Sequence, residues 1–273
     1  MPEGHTIHRL AAGYGERFGG RRVAVSSPQG KFSDAATLLD GAVLTEAEAH
    51  GKHLFLGFGP LGWVHIHLGL FGKTALGGPP VPPPTDTVRL RLLAPGAYAD
   101  LRGPAACELV TDAEKQAVHD RLGPDPLRAA DVAGDGAARA YARVSRSRSS
   151  VAALLMDQKV IAGVGNVYRA EVLFRHGIDP YRPGRDVGRA EWDAVWDDLV
   201  ALMREGVRTG RIDTVRPEHT PEAMGRPPRV DDHGGEVYVY RRAGQPCHLC
   251  GGEISTAGLA ARNLFWCPDC QRR

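Results

Sequence analysis

The chain has 273 residues, a formal net charge of +2 and a pI near 8.3, so its overall charge neither requires nor excludes a nucleic-acid partner. With 42% hydrophobic and 24% charged residues it has the composition of a soluble globular protein, large enough for one large or two modest domains. No apolar run approaches the roughly 18 residues of a membrane span, and the first residues lack the apolar core of a signal peptide. The sequence therefore predicts a cytoplasmic protein with no membrane partner.

The N-terminal half is predicted to be mainly β-structure that follows one helix. Within residues 3–18 the apolar side chains recur every three or four positions, which indicates an amphipathic helix that ends at Gly19 and Gly20. Residues 77–85 are rich in proline and are therefore predicted to be an exposed loop. Segments between Gly/Pro turns favour strands at residues 22–25, 42–50, 53–57, 62–67, 87–93 and 107–110.

The C-terminal half is predicted to be helical, with a short module at its end. Apolar residues fall at helical spacing in residues 114–122, 151–158, 167–176 and 191–209. A domain boundary is expected near residues 122–132, and the polar, proline- and arginine-rich residues 211–235 are predicted to link the helices to the terminal module. These features predict three domains, residues 1–125, 126–232 and 233–273.

The chain begins with Met1, Pro2, Glu3 and Gly4. Removal of Met1 would leave Pro2 as a secondary amine at the N-terminus. An α-amino group has an unperturbed pKa of about 7.7–8.0, so a useful fraction is neutral near pH 7, the form that attacks an aldehyde-like carbon. Glu3 would supply a carboxyl group beside that amine. Taken alone, the same start is also typical of an ordinary unblocked terminus.

The cysteine pattern predicts a structural zinc site. Cys247 and Cys250 form one C-x2-C pair, Cys267 and Cys270 form another, and sixteen residues separate the pairs. Four thiolates in two such pairs suit tetrahedral Zn²⁺, and in a reducing compartment they are metal ligands rather than disulfides. The apolar residues 264–266 are predicted to form the returning strand of a hairpin. Cys107 stands apart and is expected to be a small buried residue.

Two further features are suited to binding an anion. The turn at residues 162–165 precedes a predicted helix that Asn166 is placed to cap, and such a helix start presents backbone N–H groups to a phosphate. Alternatively, its glycines only permit close helix packing. Arg262 lies in the predicted hairpin, where it would project into a groove. Positive charge also clusters without neighbouring acids at Arg139, Arg143, Arg146 and Arg148, and again at Arg241 and Arg242.

Together these residues resemble the Fpg/Nei family of DNA glycosylases over essentially the whole chain. Five segments carry the resemblance, and they occur in the family's order. They are the start at Pro2, Glu3 and Gly4; Gly51 and Lys52 before a strand; residues 121–125 at the domain junction; residues 155–157 through 163–166 as the helix–two-turn–helix motif; and Arg262 with residues 265–271 at the end of the zinc finger.

The resemblance implies a fold, a cofactor and a reaction. The fold is α+β: an N-terminal β-sandwich-like domain with an N-terminal helix, a helix–two-turn–helix domain and a β-hairpin zinc finger holding one structural Zn²⁺. The enzyme would act as a monomer on damaged DNA, duplex or single-stranded, in association with the nucleoid. It would flip the damaged nucleotide out of the stack, remove the base and cleave the abasic site by β,δ-elimination.

The resemblance also implies roles for individual residues. Pro2 would attack C1′ and form an iminium, and Glu3 would protonate the sugar ring oxygen. Lys52 would bind phosphate and assist proton transfer. Asn166 and Arg262 would hold the phosphates around the flipped nucleotide, with Arg262 counted among the catalytic residues. A further phosphate contact is expected from Arg121.

The loop at residues 67–72 resembles the family segment that fills the space left by the flipped nucleotide. Leu70 and Phe71 would be its wedge and stacking ring; alternatively, they are core residues at a strand end. Residues 100–104, with Arg102, are the nearest match to the Fpg loop that contacts the opposite base, but the aromatic residue is missing. This departure favours the Nei-like (endonuclease VIII) branch, which acts mainly on oxidised pyrimidines and abasic sites.

Two departures leave other functions open. Many relatives carry a second glutamate where this chain has Thr6, and Nei enzymes often carry Gln where this chain has Gly69. One alternative is an Fpg-like glycosylase for 8-oxoguanine and formamidopyrimidines. A second alternative, suggested by Thr6, is a lesion-DNA-binding protein with weak or lost catalysis.

Overall fold

The computed structural model describes residues 2–230 and 235–272. It divides into two compact units, Met1–Arg121 and Leu122–Arg273. Unit 1 is a mainly β-structure with an N-terminal helix, and unit 2 is helical with a C-terminal hairpin, so the α+β architecture expected from the sequence is confirmed. Among the described residues, no helix has both the length and the apolar character needed to cross a membrane.

Unit 1 is built from two antiparallel four-stranded sheets. Its helices are α1 (Gly4–Phe18), α2 (Ser33–Leu39) and α3 (Asp112–Arg121). Its strands are β1 (Arg21–Arg22), β2 (Ala24–Ser26), β3 (Val43–Leu44), β4 (Glu46–His50), β5 (His53–Gly57), β6 (Trp63–His67), β7 (Lys73–Gly77), β8 (Val88–Ala94), β9 (Ala97–Arg102) and β10 (Ala106–Val110). The sheets run in the orders β10-β6-β5-β4 and β2-β8-β9-β7, while β1 pairs with β3.

One hydrophobic core joins α1 to both sheets. Ile7, Tyr14 and Phe18 lie on the buried face of α1, as the spacing of its apolar residues predicts. They belong to the same buried cluster as Leu54 of β5 and Leu92 of β8. Because α1 packs into this core, its first turn is held at a fixed position in unit 1.

The strand predictions were incomplete. The predicted strand at residues 22–25 is interrupted at Val23, and the one at 42–50 is interrupted at Thr45, so each forms two short strands. Strands β7 and β9 were missed. Both contain alanine or charged residues with low intrinsic strand preference, and the pairing of β7 with β9 and of β9 with β8 outweighs that preference.

Unit 2 contains more helices than the sequence predicted. They are α4 (Ala129–Ala133), α5 (Gly136–Val144), α6 (Val151–Leu154), α7 (Asn166–Arg175), α8 (Arg189–Thr209) and α9 (Pro221–Met224). The hairpin consists of β11 (Ser255–Leu259) and β12 (Arg262–Trp266). α4, α5 and α9 were not predicted, and part of the expected linker at 211–235 therefore forms a short helix.

The helix predicted at residues 151–158 is shorter in the structure, where α6 ends at Leu154. After Leu154, side-chain oxygens replace helical carbonyl groups as acceptors for some backbone N–H groups. Asp157 Oδ1 accepts a hydrogen bond from Lys159 N at 2.9 Å, and Gln158 Oε1 accepts one from Gly163 N at 2.9 Å. Such local side-chain bonds compete with the helix and shape the turn that leads to α7.

The zinc hairpin and the helices share one core. Cys247, Leu264 and Cys267 are buried in the same cluster as Trp192 and Leu199 of α8. The terminal module is therefore stabilised by packing against the helices as well as by its metal. This packing fixes the position of β12 relative to α7.

A buried carboxylate connects α7 to the segment before the hairpin. Glu171 accepts backbone hydrogen bonds from Tyr238, Val239 and Tyr240 at 2.7, 2.9 and 2.8 Å, and a hydroxyl hydrogen bond from Thr214 at 2.6 Å. Residues 238–240 form neither helix nor strand, so this carboxylate supplies the partners that secondary structure would otherwise provide. The segment leading to the cysteines is thereby fastened to α7.

Candidate functional site

Glu3 lies at the start of α1 and is almost fully buried (1% exposed). Its backbone carbonyl accepts a hydrogen bond from Thr6 N at 3.0 Å, which holds the first turn, while Pro2 beside it is half-buried. The N-terminal end of a helix carries partial positive charge and favours a carboxylate. The packing of α1 therefore keeps a carboxyl group next to the proposed amine nucleophile.

His5 is a residue that the sequence analysis missed. It is buried in α1, and its Nε2 lies 3.2 Å from the hydroxyl of Thr6, at the position where relatives carry a second carboxylate. Burial, followed by the charges of Arg9 and His8, lowers the pKa of His5 to about 4, so the ring is neutral near pH 7. The signal available in the sequence was a histidine two positions after Glu3.

Lys52 lies in the tight turn that joins β4 to β5. Gly51 in this turn has φ +57°, a backbone conformation that glycine adopts without strain. Burial and then the charge of Lys52 lower the pKa of His67, the last residue of β6. Since His67 pairs with His53 at the start of β5, Lys52 lies at the edge of the sheet where the loop at residues 68–72 begins.

The loop at residues 68–72 exposes two large apolar side chains. Leu70 is 52% exposed and Phe71 is 82% exposed, whereas Leu68 is buried and anchors the loop. Gly72 N donates to Leu68 O at 3.0 Å and closes a tight turn. The alternative interpretation of Leu70 and Phe71 as core residues is therefore wrong. Gly69 has φ +67°, which explains a glycine where Nei enzymes often carry Gln.

Arg102 lies at the end of strand β9 instead of in a loop. Its Nη2 donates to Asp100 Oδ2 at 3.0 Å, and the same buried carboxylate pairs with Arg91 Nε at 2.7 Å. Asp100 thus holds one fully buried arginine and one that reaches the surface. The guanidinium of Arg102 is therefore restrained at the end of the strand.

Five histidines and one phenylalanine stack on one face of unit 1. Neighbouring ring centroids lie 4.9–5.1 Å apart along the series His50, His119, Phe55, His65, His53 and His67. Arg121, exposed at the end of α3, contributes positive charge that, with burial as the larger cause, lowers the pKa of His53 and His65. His53 and His65 are therefore neutral near pH 7, and the stacked rings form a packed layer under α3.

Asn166 does not cap α7, contrary to the sequence prediction. The N-cap is Gly165, and Asn166 is the first helical residue. Its buried amide is turned toward the hairpin, where Nδ2 donates to the carbonyl of Asn263 at 2.9 Å, and its Oδ1 accepts from Arg169. The amide thus connects the helix start to the strand that carries Arg262.

Arg262 is the first residue of β12, directly after the turn of the hairpin. The turn consists of Ala260 and Ala261, which have φ of +52° and +56°. Gly258 and Leu259, just before this turn, lie in β11 and pair with Asn263 and Arg262 of β12. A tight turn between paired strands places Arg262 at the tip of the hairpin, one residue before Asn263.

The four cysteines form a cluster that fits structural zinc. Their sulfur atoms all lie within 4.8 Å of one another, with 3.9 Å between Cys247 and Cys270 and 3.4 Å between Cys250 and Cys267. Tetrahedral Zn–S bonds of about 2.3 Å require sulfur separations of roughly 3.8 Å. The backbone N–H groups of Leu249 and Gly252 point at the sulfurs of Cys247 and Cys250, each at 3.4 Å, and stabilise thiolate charge. Cys107 is buried in unit 1, as expected.

Three family models match successive parts of the chain. The formamidopyrimidine-DNA glycosylase N-terminal domain matches residues 1–107, the formamidopyrimidine-DNA glycosylase H2TH domain matches 122–217, and the zinc finger found in FPG and IleRS matches 244–273.

Individual proteins give the same result. The chain is 52% identical to Endonuclease 8 1 of Mycobacterium tuberculosis (strain ATCC 25618 / H37Rv), over 99% of this chain and 100% of that protein. It is 32% identical to formamidopyrimidine-DNA glycosylase of Xanthomonas campestris pv. campestris (strain 8004), over 100% of both. The fold is similar to that of Lactococcus lactis Fpg solved with abasic-site DNA, with a TM-score of 0.77, 20% identity and coverage of 99% and 100%.

The three matched family models define a DNA glycosylase with a helix–two-turn–helix domain and a zinc finger. The chain belongs to the Fpg/Nei family of base-excision-repair DNA glycosylases with AP lyase activity. The similarity to its endonuclease VIII branch, indicated by the sequence, is confirmed.

Proposed function

We propose that this enzyme removes oxidised pyrimidines from DNA and cleaves the resulting abasic site through an iminium formed on Pro2. The observation that carries the proposal is the buried Glu3 carboxyl group fixed beside Pro2 at the first turn of α1. A secondary amine next to a held carboxyl group provides a nucleophile and an acid within one dipeptide.

The reaction follows from these two groups. The lone pair of the Pro2 nitrogen attacks C1′, the glycosidic bond breaks, and the base leaves with its bonding electrons and takes up the proton that the amine loses. Glu3 gives a proton to the ring oxygen, the ring opens and the nitrogen becomes an iminium. The iminium withdraws electrons from the adjacent carbon, so a proton leaves C2′ and the 3′ phosphate is eliminated. A second elimination releases the 5′ phosphate.

We assign DNA contacts to residues of both units. In unit 1, Lys52 binds a phosphate near the reacting sugar, Leu70 and Phe71 fill the space left by the flipped nucleotide, and Arg102 and Arg121 contact the DNA. Phe71 is well suited to stacking because its ring is 82% exposed. In unit 2, Asn166 and Arg262 bind phosphates; their connection through Asn263 supports a joint role.

The lesion preference rests on two observations. The protein at 52% identity carries the name Endonuclease 8 1, and the residues after Arg102 lack the aromatic of the Fpg loop. We therefore propose oxidised pyrimidines as substrates, duplex DNA as the partner and a monomer as the active form. A cleavage panel with thymine glycol, 5-hydroxyuracil and 8-oxoguanine duplexes tests this preference; fastest cleavage at 8-oxoguanine would overturn it.

Borohydride trapping tests the chemistry. The protein is incubated with abasic-site DNA in the presence of borohydride, and a covalent band of enzyme plus DNA is expected. Pro2→Gly should weaken trapping and retention of Met1, read by mass, should abolish it. Pro95→Gly, at an exposed turn, is the matched control and should trap like the wild type. A processed wild-type protein that binds this DNA but gives no covalent band would contradict the proposed mechanism.

A further inference from the structure

Arg169 is a fully buried arginine (0% exposed) in α7, one helical turn after Asn166. A buried guanidinium is costly unless its donors are satisfied, and an apolar side chain of similar size packs at least as well at such positions. Its location beside a proposed phosphate-binding residue therefore calls for an explanation other than packing.

Arg169 determines how the amide of Asn166 is oriented. Its Nη2 donates to Asn166 Oδ1, and a guanidinium has donors only. On the opposite side of the amide lies the carbonyl of Asn263, which can only accept and receives Asn166 Nδ2 at 2.9 Å. A flipped amide would set two donors against each other at Arg169 and two acceptors against each other at Asn263. The amide therefore has one allowed orientation.

This orientation is the one that suits a phosphate. The amide nitrogen carries two N–H bonds, of which Asn263 O accepts one. A phosphate oxygen needs a donor, so it is bound by this amide only while Oδ1 stays turned toward the guanidinium. The buried positive charge next to the first turn of α7 adds to the favourable potential for an anion.

The same guanidinium reaches the zinc hairpin. Nη2 of Arg169 also lies 3.3 Å from the carbonyl of Asn263, the residue directly after Arg262. One side chain on α7 thus touches both Asn166 and the strand that carries Arg262. This contact holds Asn166 and Arg262, the two proposed phosphate ligands, in a fixed position relative to each other.

We propose that Arg169 is a positioning residue of the phosphate-binding site: it fixes the donor orientation of the Asn166 amide and fastens the strand of Arg262 to the start of α7. This inference rests on the proposed function, since it requires Asn166 to bind a DNA phosphate. Arg169 itself does not touch the DNA. Its effect on DNA binding therefore passes through Asn166 and the hairpin.

The test is a double-mutant cycle on DNA affinity. The full-length, zinc-loaded protein is titrated with a duplex that contains a tetrahydrofuran abasic-site analogue. Arg169→Met and Asn166→Ala should each raise Kd by about tenfold, the value of one hydrogen bond to a charged group. In combination they should raise Kd by less than the product of the two single rises, because the amide that Arg169 orients is then absent and only its contact with the strand of Arg262 is left to lose.

Other results would overturn the inference. One is a rise in Kd for the double variant that equals the product of the two single rises. The others are a wild-type Kd for Arg169→Met or for Asn166→Ala. Arg175→Met is the matched control, since it removes an arginine paired with Asp198 at the other end of the same helix, and it should leave Kd unchanged. Melting temperature and zinc content are measured for every variant, so loss of fold is separated from loss of positioning.

A conservative variant keeps the test available if Arg169→Met does not fold. Arg169→Lys retains the charge and one donor to Asn166 Oδ1, so its Kd should lie between those of the wild type and Asn166→Ala. The same cycle is then run with Lys, with the same non-additivity expected. Borohydride trapping by the wild type reports separately on the proposed function; wild-type trapping with an additive cycle would reject the role of Arg169 alone.

Discussion

Nδ1 of His53 and Nε2 of His65 lie 2.8 Å apart, and their rings are stacked. One ring must donate and the other must accept, so the pair requires at least one neutral imidazole. Burial is the main reason that the pKa of His53 falls to about 3 and that of His65 to about 4. These histidines therefore link the stability of unit 1 to pH.

Unit 1 is expected to lose stability as the pH falls below about 6.5. Unfolded histidines bind protons near that pH, whereas the folded pair binds them only near pH 3–4. Between these values the unfolded state holds more protons, so the free energy of unfolding falls with falling pH. In urea unfolding at pH 7.5, 6 and 5, His65→Phe should reduce this slope by up to about 1.4 kcal/mol per pH unit. An unchanged slope would contradict the prediction.

Loss of one zinc ligand is expected to release the metal and destabilise unit 2. Cys267 is buried in the core with Leu264, so the metal holds residues that the helices also contact. Cys267→Ser should reduce the zinc content from about one per chain to near zero and lower the melting temperature. Cys107→Ala is the control and should keep its zinc, because Cys107 lies in unit 1. Full zinc content in the serine variant would be the contrary result.

Neutralising Glu171 should destabilise unit 2 strongly. Its carboxylate accepts three backbone N–H groups and the hydroxyl of Thr214. Glu171→Gln replaces one acceptor oxygen by a donor that faces N–H groups, so we expect a loss of about 3 kcal/mol or more in denaturant unfolding. Glu205→Gln, which removes an exposed pair with Arg208, should leave stability nearly unchanged. Equal effects of the two variants would argue against this role of the Glu171 carboxylate.

Truncation of Phe71 should impair DNA binding without affecting the fold. The ring is 82% exposed, so its removal should change the free energy of unfolding by no more than about 0.5 kcal/mol. Stacking on a base is worth roughly 1–3 kcal/mol, so Phe71→Ala should raise Kd for abasic-analogue DNA about tenfold. Leu38→Ala, at another exposed apolar residue, should alter neither quantity. Unchanged binding by Phe71→Ala would remove Phe71 from the DNA contacts.

Local patterns in the sequence predicted much of this protein. The spacing of Ile7, Tyr14 and Phe18 was sufficient for α1, because helical periodicity is visible within a few turns. The C-x2-C pairs were sufficient for the zinc cluster, because each pair forms its own turn around the metal. Short motifs in a fixed order were sufficient for the family.

The strands and turns show where local patterns fail. β7 and β9 have weak strand preference and form because β8 and β9 supply partners. α6 stops at Leu154 because Asp157 and Gln158 bind the backbone. In both cases competing interactions of similar energy decide the structure. The spacing of apolar residues along the sequence does not reveal these interactions.

Tertiary structure alone decided how the polar residues are used. The partner of Asn166 lies 97 residues away in Asn263, so no local pattern could reveal that the amide points to the hairpin instead of capping its helix. The exposure of Phe71 and the burial of Arg169 likewise depend on which segments pack around them. The sequence by itself determined which chemical groups are present and in what order. The tertiary structure decided their partners, because a buried polar group must find a donor or acceptor wherever the folded chain brings one.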